Sequence, residues 1–331
     1  MEVYKEFDKK PLIRKTSLSR KYLDYFNMRS RIDRACVLWS IDRISVQSAN
    51  PIMGFAFLTG KPKIPVITSF WGSEIWGELS TYHRVLQKRL LMGSERITAI
   101  TETMRSRIRE KYPSLKKDIA LVRYIVLSKD DYRISSQDVD DFKREFCIPE
   151  GTRVVSVSYA SAPRHRHDMI MTSIGMVPRE DIEGRNIWFI VPMTYGEGPW
   201  REKVKGLIGK NPYRDRISVI ERDLSDKEVM IMRSITDIFI NIPTQDTLSA
   251  SMFEAISYGS VVITGKWLPY DELFASDVYT INIGSPDELG TCLNKTIHDI
   301  DEYKTKVRSN ERYLRKIVDP ARWFAVFEKG V

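Results

Sequence analysis

Apolar and polar positions follow two rhythms along this chain, short apolar runs and longer stretches of helical period, and the two take turns. The runs ACVLW (35–39) and ISVQ (44–47) read as buried strands. PIMGFAFL suits a short helix, and IPVITSF (64–70) a further strand ending at Trp71-Gly72. LSTYHRVLQKRLLMG then sets Leu79, Tyr82, Leu86 and Leu90 on one helical face. RITAIT (96–101) reads as a strand and ETMRSRIREKY as a helix stopped by Pro113. Strands joined through helices predict a parallel sheet with helices on its faces.

The polar, acidic stretch KDDYRISSQDVDDFKREFCIPEGT interrupts this alternation, and a domain boundary is expected at its start. The alternation then resumes with RVVSVSY (153–159), the helix DMIMTSIGMV, NIWFIVPM (186–193) stopping at Pro192, and RISVIE (216–221). Ser225 with Glu228 forms a capping box that opens a helix through Met232. DIFINIP (237–243) and VVIT (261–264) are two more strands. The expected division is 1–130, 131–310 and a C-terminal helical segment 311–331 that contains DPARWFAVFEK. No internal repeat or low-complexity segment is present.

Length and charge narrow the class. A chain of 331 residues accommodates two domains, each with its own core. No apolar run approaches the roughly 18 residues a membrane span needs. MEVYKEFDKK is charged from its second residue, unlike a secretory signal. Cys36, Cys147 and Cys292 are few and far apart, as reduced cytosolic thiols are, without zinc spacing. Residues 1–150 hold 28 Lys and Arg against 19 Asp and Glu, so the whole positive excess of the chain lies there. That half is expected to meet an anionic partner, and a cytoplasmic protein peripheral to an anionic membrane face fits the balance. Nucleic acid is disfavoured, because the basic residues are dispersed and form no recognition motif.

The candidate chemistry centres on DTLSASMFEAISYGSVVIT, Asp246 to Thr264. Asp246 follows the strand DIFINIP, at the carboxyl edge where open α/β sheets bind ligands. Ser249 or Ser251 can cap a helix running to about Tyr258, with Gly259 as its C′ residue. The N-terminal end of that helix favours a phosphate, and Asp246 and Glu254 can bracket a polyhydroxylated ligand beside it. Acids at this spacing recur about six times by chance in a chain so rich in them. Position therefore carries the argument: after a strand, on a capped helix, before Gly and a β-branched strand.

Asp246 to Glu254 resembles the E-x7-E motif of the family 4 retaining glycosyltransferases, with Asp in place of the first Glu. FEAISYGSVVITG resembles that family's EAMA-x-G-x-PVV continuation. VITSFWGSEI (66–75), RITAITETMRSRIREKYP (96–113) and VVSVSYASAPRHRHDMI (154–170) resemble, in the family's order, its WGSD segment, the end of its N-domain and the opening of its donor domain. FIVPMTYGEGPW (189–200) is also similar to the inverting Fuc4NAc-transferase-like group. The resemblance spans roughly residues 40–290.

It implies an α/β protein of GT-B fold, two Rossmann-like domains facing across a cleft, that moves a sugar from a nucleoside-diphosphate sugar to a glycan or lipid-linked acceptor. No metal or cofactor is implied, the nucleotide sugar being substrate. By resemblance Glu254 accepts hydrogen bonds from ribose hydroxyls and Asp246 contacts the transferred sugar. Arg164 and Arg166 are both candidates to neutralise the leaving phosphate. Thr194, Tyr195 and Gly196 follow a strand at the same edge and line the donor crevice with Ser249 and Ser251. On the N-domain, Trp71 stands where many relatives carry His, Gly72 and Ser73 are acceptor-side, and Glu74 is a further candidate catalytic acid. His165 and His167 flank Arg166 with no third ligand nearby, which reads as a loop pair rather than a metal site.

Residues 1–34 depart from the family, with no Gly and no opening strand, so either an abbreviated N-domain or a segment that a longer chain would supply is expected. Three rival readings stay open: a nucleotide-sugar epimerase or hydrolase of the same fold, a non-catalytic nucleotide-sugar binder, and a nucleic-acid-binding protein. Gly196 and Gly198 lack the third Gly of a dinucleotide fingerprint, which sets a nicotinamide enzyme aside.

Overall fold

The computed structural model describes residues 28–58, 60, 63–123, 132–196, 198–317 and 326. The first 27 residues, the start of the acidic stretch at 129–131 and, Val326 apart, the segment DPARWFAVFEK lie outside the described residues. The chain divides into two compact units, Met1–Val122 with Ala325–Val331, and Arg123–Phe324.

In the first unit, α1 (Met28–Leu38) precedes β1 (Ile44–Gln47), a 3₁₀ turn (Pro51–Phe57) and β2 (Val66–Ser69). The short α2 (Ser73–Trp76), α3 (Thr81–Gly93), β3 (Arg96–Ala99), α4 (Glu102–Lys111) and β4 (Ile119–Leu121) follow. The strands lie in sequence order, all parallel. α3 turns Leu86 and Leu90 inward, as its spacing predicts, while Tyr82 stays outside.

ACVLW is not a strand. It forms the end of α1 and the turn after it, and only Cys36 of the five residues is buried. Met28, Ile32 and Cys36 recur every four residues, and the first two pack against Val46, Phe57 and Leu90. That helical period was present in the sequence, but a five-residue apolar run looks the same at the end of a helix as in a strand.

The second unit holds α5 (Ser136–Glu145), β5 (Arg153–Val157), a 3₁₀ turn (Pro163–His165), α6 (His167–Gly175), α7 (Arg179–Gly184) and β6 (Ile187–Pro192). Next come α8 (Gly198–Lys210), β7 (Ile217–Ile220), α9 (Asp226–Ser234), β8 (Thr236–Asn241), α10 (Ala250–Ser257) and β9 (Val261–Gly265). The unit continues through α11 (Asp271–Phe274), β10 (Ile281–Ile283), α12 (Leu289–His298), α13 (Ile300–Lys306) and α14 (Asn310–Ile317). Six parallel strands run in the order β10-β9-β8-β5-β6-β7. Their apolar runs are buried on both faces, Val155, Val157, Ile238 and Ile240 on one and Val154, Ile190 and Ile220 on the other, as a helix-covered parallel sheet requires.

The acidic stretch after the first unit also holds a helix. Ser135 caps α5 in a reciprocal box with Asp138, and Phe142 packs against Ile148, Val154 and Ile190. An S-x-x-D box was legible there, although the surrounding charge masked its single deep anchor. Phe142→Ala is expected to lower stability by about 3 kcal/mol, read as a lower urea midpoint of the second unit's transition at unchanged slope.

Candidate functional site

The chain leaves β5 through β6 and β7 on one side, then returns to β8 on the other. The strand order reverses between β5 and β8, and such a switch point opens a crevice at the carboxyl edge. Two backbone bonds close the seam: Ser158 N–H donates to Ile240 O (3.2 Å) and Thr244 N–H to Arg164 O (2.8 Å). The loop after β6 joins them, since Ser161 N–H donates to Tyr195 O (2.8 Å) and Thr194 Oγ1 to Tyr159 O (3.1 Å). Gly196 makes this approach possible: its φ is +125°, and a Cβ there would lie 2.1 Å from the Ser161 carbonyl oxygen. The fold thus brings Arg164, Thr194, Tyr195, Gly196 and Asp246 to one edge.

Arg164 and Arg166 part company. Arg164 is exposed, and its charge acts on Tyr159, Tyr195 and Asp246. Arg166 is the N-cap of α6 in left-handed conformation (φ 53°), and its guanidinium lies over the Trp267 ring, 4.9 Å from the centroid. Burial drives both neighbouring imidazoles down, His165 to about 3 with help from Arg164, and His167 to about 4, so both are neutral. Trp200 Nε1 donates to His167 Nδ1 (3.5 Å), which leaves the ring proton on Nε2. Among the described residues, His167 Nε2, Arg166 Nη1 and the Oγ atoms of Ser158 and Ser161 are buried without a hydrogen-bond partner. Unpaired buried donors concentrated on one loop are the kind a bound ligand or water completes.

Asp246 is partly buried in the loop after β8. Tyr270 Oη donates to its Oδ2 (2.7 Å), and Thr247 N–H to its Oδ1 (2.7 Å). Burial raises its pKa above the usual carboxylate value, while Tyr270, Thr247 and Arg164 pull it back. A native pKa above the unfolded one means that ionising this acid opposes folding: its contribution worsens as pH rises from the ordinary range through the raised value.

Ser249, not Ser251, caps α10: its Oγ accepts from Met252 N–H (3.3 Å), and Ser251 lies inside the first turn. The helix ends as its sequence predicts. Ser260 N–H donates to Ala255 O (2.9 Å) and Gly259 takes a φ of 77°, a Schellman arrangement. Glu254 faces α9, where its Oε2 accepts from Arg233 Nε (3.2 Å). Arg233 is buried and stacks on Phe239 (4.9 Å), whereas the Glu254 side chain keeps 12% of its exposure. Sequence reasoning missed Arg233 altogether, and its position in the last turn of α9 gave no local signal.

On the first unit, the WGSE turn is organised by its own acid. Glu74 Oε1 accepts from the amides of Trp71 and Ala49 (3.4 Å for the latter), and Oε2 from that of Gly72 (3.0 Å). Ser73 opens α2, and Trp71, 43% exposed, donates through Nε1 to Gln47 Oε1 (3.2 Å). The carboxylate read as a catalytic candidate thus serves the backbone of its own loop.

Solved structures align with this chain over nearly all of it. One is Anabaena Alr3699/HepE in complex with UDP and glucose, at TM-score 0.73 and 13% identity, over 96% of this chain and 83% of that one. A glycosyltransferase from Rickettsia africae matches at TM-score 0.70 and 12% identity, over 96% and 85% respectively. A UDP-forming α,α-trehalose-phosphate synthase from Burkholderia xenovorans matches at 0.67 and 10%, over 94% and 79%. The chain has the GT-B fold. No protein-family model and no curated protein sequence matches it. The GT-B likeness gives two Rossmann-like domains, and the switch point between β5 and β8 lies in the second unit.

Breaking the buried Arg233–Glu254 pair leaves a charge without its partner, which costs about 3 kcal/mol or more. Arg233→Met should therefore destabilise the second unit by about that much, and Arg233→Met with Glu254→Leu should recover most of it in urea titrations.

Proposed function

We propose that this chain is a glycosyltransferase that moves a sugar from a nucleoside-diphosphate sugar to a glycan or lipid-linked acceptor. One observation carries the reading: exposed Arg164, Asp246 and a loop of unpaired buried donors meet at the β5–β8 switch point. The likeness to HepE, whose structures hold UDP, UDP-glucose, or UDP with glucose, supports the donor class.

The reaction breaks the bond between the anomeric carbon and the diphosphate oxygen and forms one to an acceptor oxygen. Negative charge grows on the departing phosphate, and stabilising it is the main electrostatic task. Arg164 and the N-terminal end of α10 supply that stabilisation in this proposal, without metal. Asp246 accepts hydrogen bonds from the transferred sugar. Glu254 keeps one oxygen on Arg233 and offers the other to the ribose hydroxyls. Thr194, Tyr195 and Gly196 wall the crevice, with Ser249 and Ser251 at the helix mouth. On the first unit, Trp71 is the acceptor-side face, and Glu74 contributes by fixing the loop beneath it. Retention of anomeric configuration is proposed from the motif resemblance, and the anomeric signals of the product in NMR decide it.

Calorimetric titration with UDP, GDP, ADP and dTDP tests the donor site. One nucleotide should bind selectively, with affinity reduced ~10-fold or more in Arg164→Ala, as for loss of a charge-assisted hydrogen bond. Glu254→Ala should weaken the same nucleotide. Absence of binding to all four at millimolar concentration sinks the proposal.

The acceptor side is proposed to meet an anionic membrane surface. α1 ends in exposed Val37 and Leu38 (82% and 72%), and Trp39 (54%) follows in the turn after it, all within the basic half of the chain. No helix among the described residues is long and apolar enough to cross a membrane. Vesicles containing anionic lipid should co-float the protein, neutral vesicles should not, and replacing the three residues with Ser should weaken flotation. Equal flotation with both vesicle types removes this part of the reading.

A further inference from the structure

Asp246 differs from the family motif in being one methylene shorter, so its direction depends on its surroundings. Those surroundings form a chain of buried groups that no local pattern announces. Asn241, the last residue of β8, donates through Nδ2 to Tyr270 Oη (3.1 Å) and more weakly to Met252 Sδ (3.7 Å). Tyr270 follows β9 and donates in turn to Asp246 Oδ2 (2.7 Å). Asn241 and Tyr270 are 2% and 1% exposed, so neither is placed to touch a ligand.

We propose that Tyr270, held by Asn241, is a positioning residue that orients Asp246 toward the transferred sugar. The inference rests on the donor-site reading above and extends it.

The hydrogen positions follow from chemistry. An amide nitrogen only donates, so the Tyr270 oxygen accepts at that contact and its single hydrogen goes to Asp246. The Thr247 amide holds the other carboxylate oxygen. Both oxygens are therefore pinned, and the lone pairs left over point in a fixed direction. Preorganised acceptors of this kind lose little on binding, whereas a freely rotating Asp would have to be ordered by the substrate. Tyr270 is also the N-cap of α11, yet its side chain makes no capping bond there, so its hydroxyl serves Asp246.

The groups acting on Asp246 are Tyr270, the Thr247 amide and Arg164, and Asp246 in turn acts on Tyr159. Tyr270 is among those that lower the raised pKa of Asp246. Removing its hydroxyl raises that pKa further. Because the protonated acid loses an acceptor, the acid limb of sugar-nucleotide binding must then move to higher pH. A purely structural tyrosine would not move that limb.

The test uses Tyr270→Phe, Asp246→Asn and the double variant of the full chain. Each is titrated between pH 5 and 8 with UDP-glucose and with UDP, or with the corresponding pair if another nucleotide is the one bound. Tyr270→Phe should weaken the sugar nucleotide ~10-fold, the scale of one hydrogen bond to a charged group, and leave the diphosphate unchanged. Its acid limb should shift upward, and Tyr270→Phe should add nothing in the Asp246→Asn background. Equal losses for both ligands, an unmoved limb or full additivity would overturn the positioning role while leaving the donor site intact. Binding of neither ligand by the unaltered chain would instead overturn the donor reading, and this inference with it.

Discussion

The second unit depends on how the chain returns to the far side of β5. The central strands of its sheet are mostly apolar and buried, so ligand chemistry is left to the loops at its ends. The polar groups of the candidate site gather at the carboxyl edge, where the β5–β8 reversal parts the loops. The Ser158–Ile240 and Thr244–Arg164 backbone bonds hold the two sides of that opening at fixed separation. Gly196 admits the third loop because no side chain separates it from Ser161. The basic, aromatic and acidic residues of the candidate site converge as a consequence of strand order, not of their own mutual attraction.

The two acids of the motif are held in different ways, and this shapes what each can do. Glu254 is countered by a full positive charge, Arg233, which ties α10 to α9 across the helix interface. Asp246 has neutral donors as direct partners and feels Arg164 only through space, so burial still prevails and its pKa is raised. The first arrangement gives a rigid acceptor anchored in the core. The second gives an acceptor held by neutral donors, with burial keeping its pKa above the ordinary carboxylate value.

Legibility from sequence followed range of interaction. The cap at Ser249, the Gly259 terminus and the capping box at Ser225 depend on neighbours three to six residues away, and sequence alone located each one or narrowed it to two. The alternation of β5 to β9 with helices was equally readable, because a fully buried strand is apolar throughout. α1 and α5 escape the sequence pattern, since one presents an apolar end and the other a single buried residue among charges. Arg233 and Tyr270 were invisible for another reason. They meet Glu254 and Asp246 from 21 and 24 residues away, and only the packing of α9 and the path after β9 bring them there. Arg164 and Arg166 were inseparable by type or spacing, and the left-handed turn at Arg166 is what sends them apart.

An acidic residue in a motif is a candidate by type, but the use of its lone pairs decides what it can still bind. An ionised carboxylate offers about four acceptor sites. Glu74 gives three of its acceptor contacts to backbone amides, all within its own unit. Asp246 gives two, one to Thr247 and one to Tyr270. Glu254 gives one of its oxygens to Arg233 and keeps the other. Capacity to accept a ligand hydroxyl therefore rises from Glu74 through Asp246 to Glu254. That order matches the division of labour proposed for them: a loop brace, an oriented sugar contact and a ribose acceptor. Three acids that look alike in sequence thus differ in the acceptor capacity left over once amides and neighbouring side chains have taken their shares.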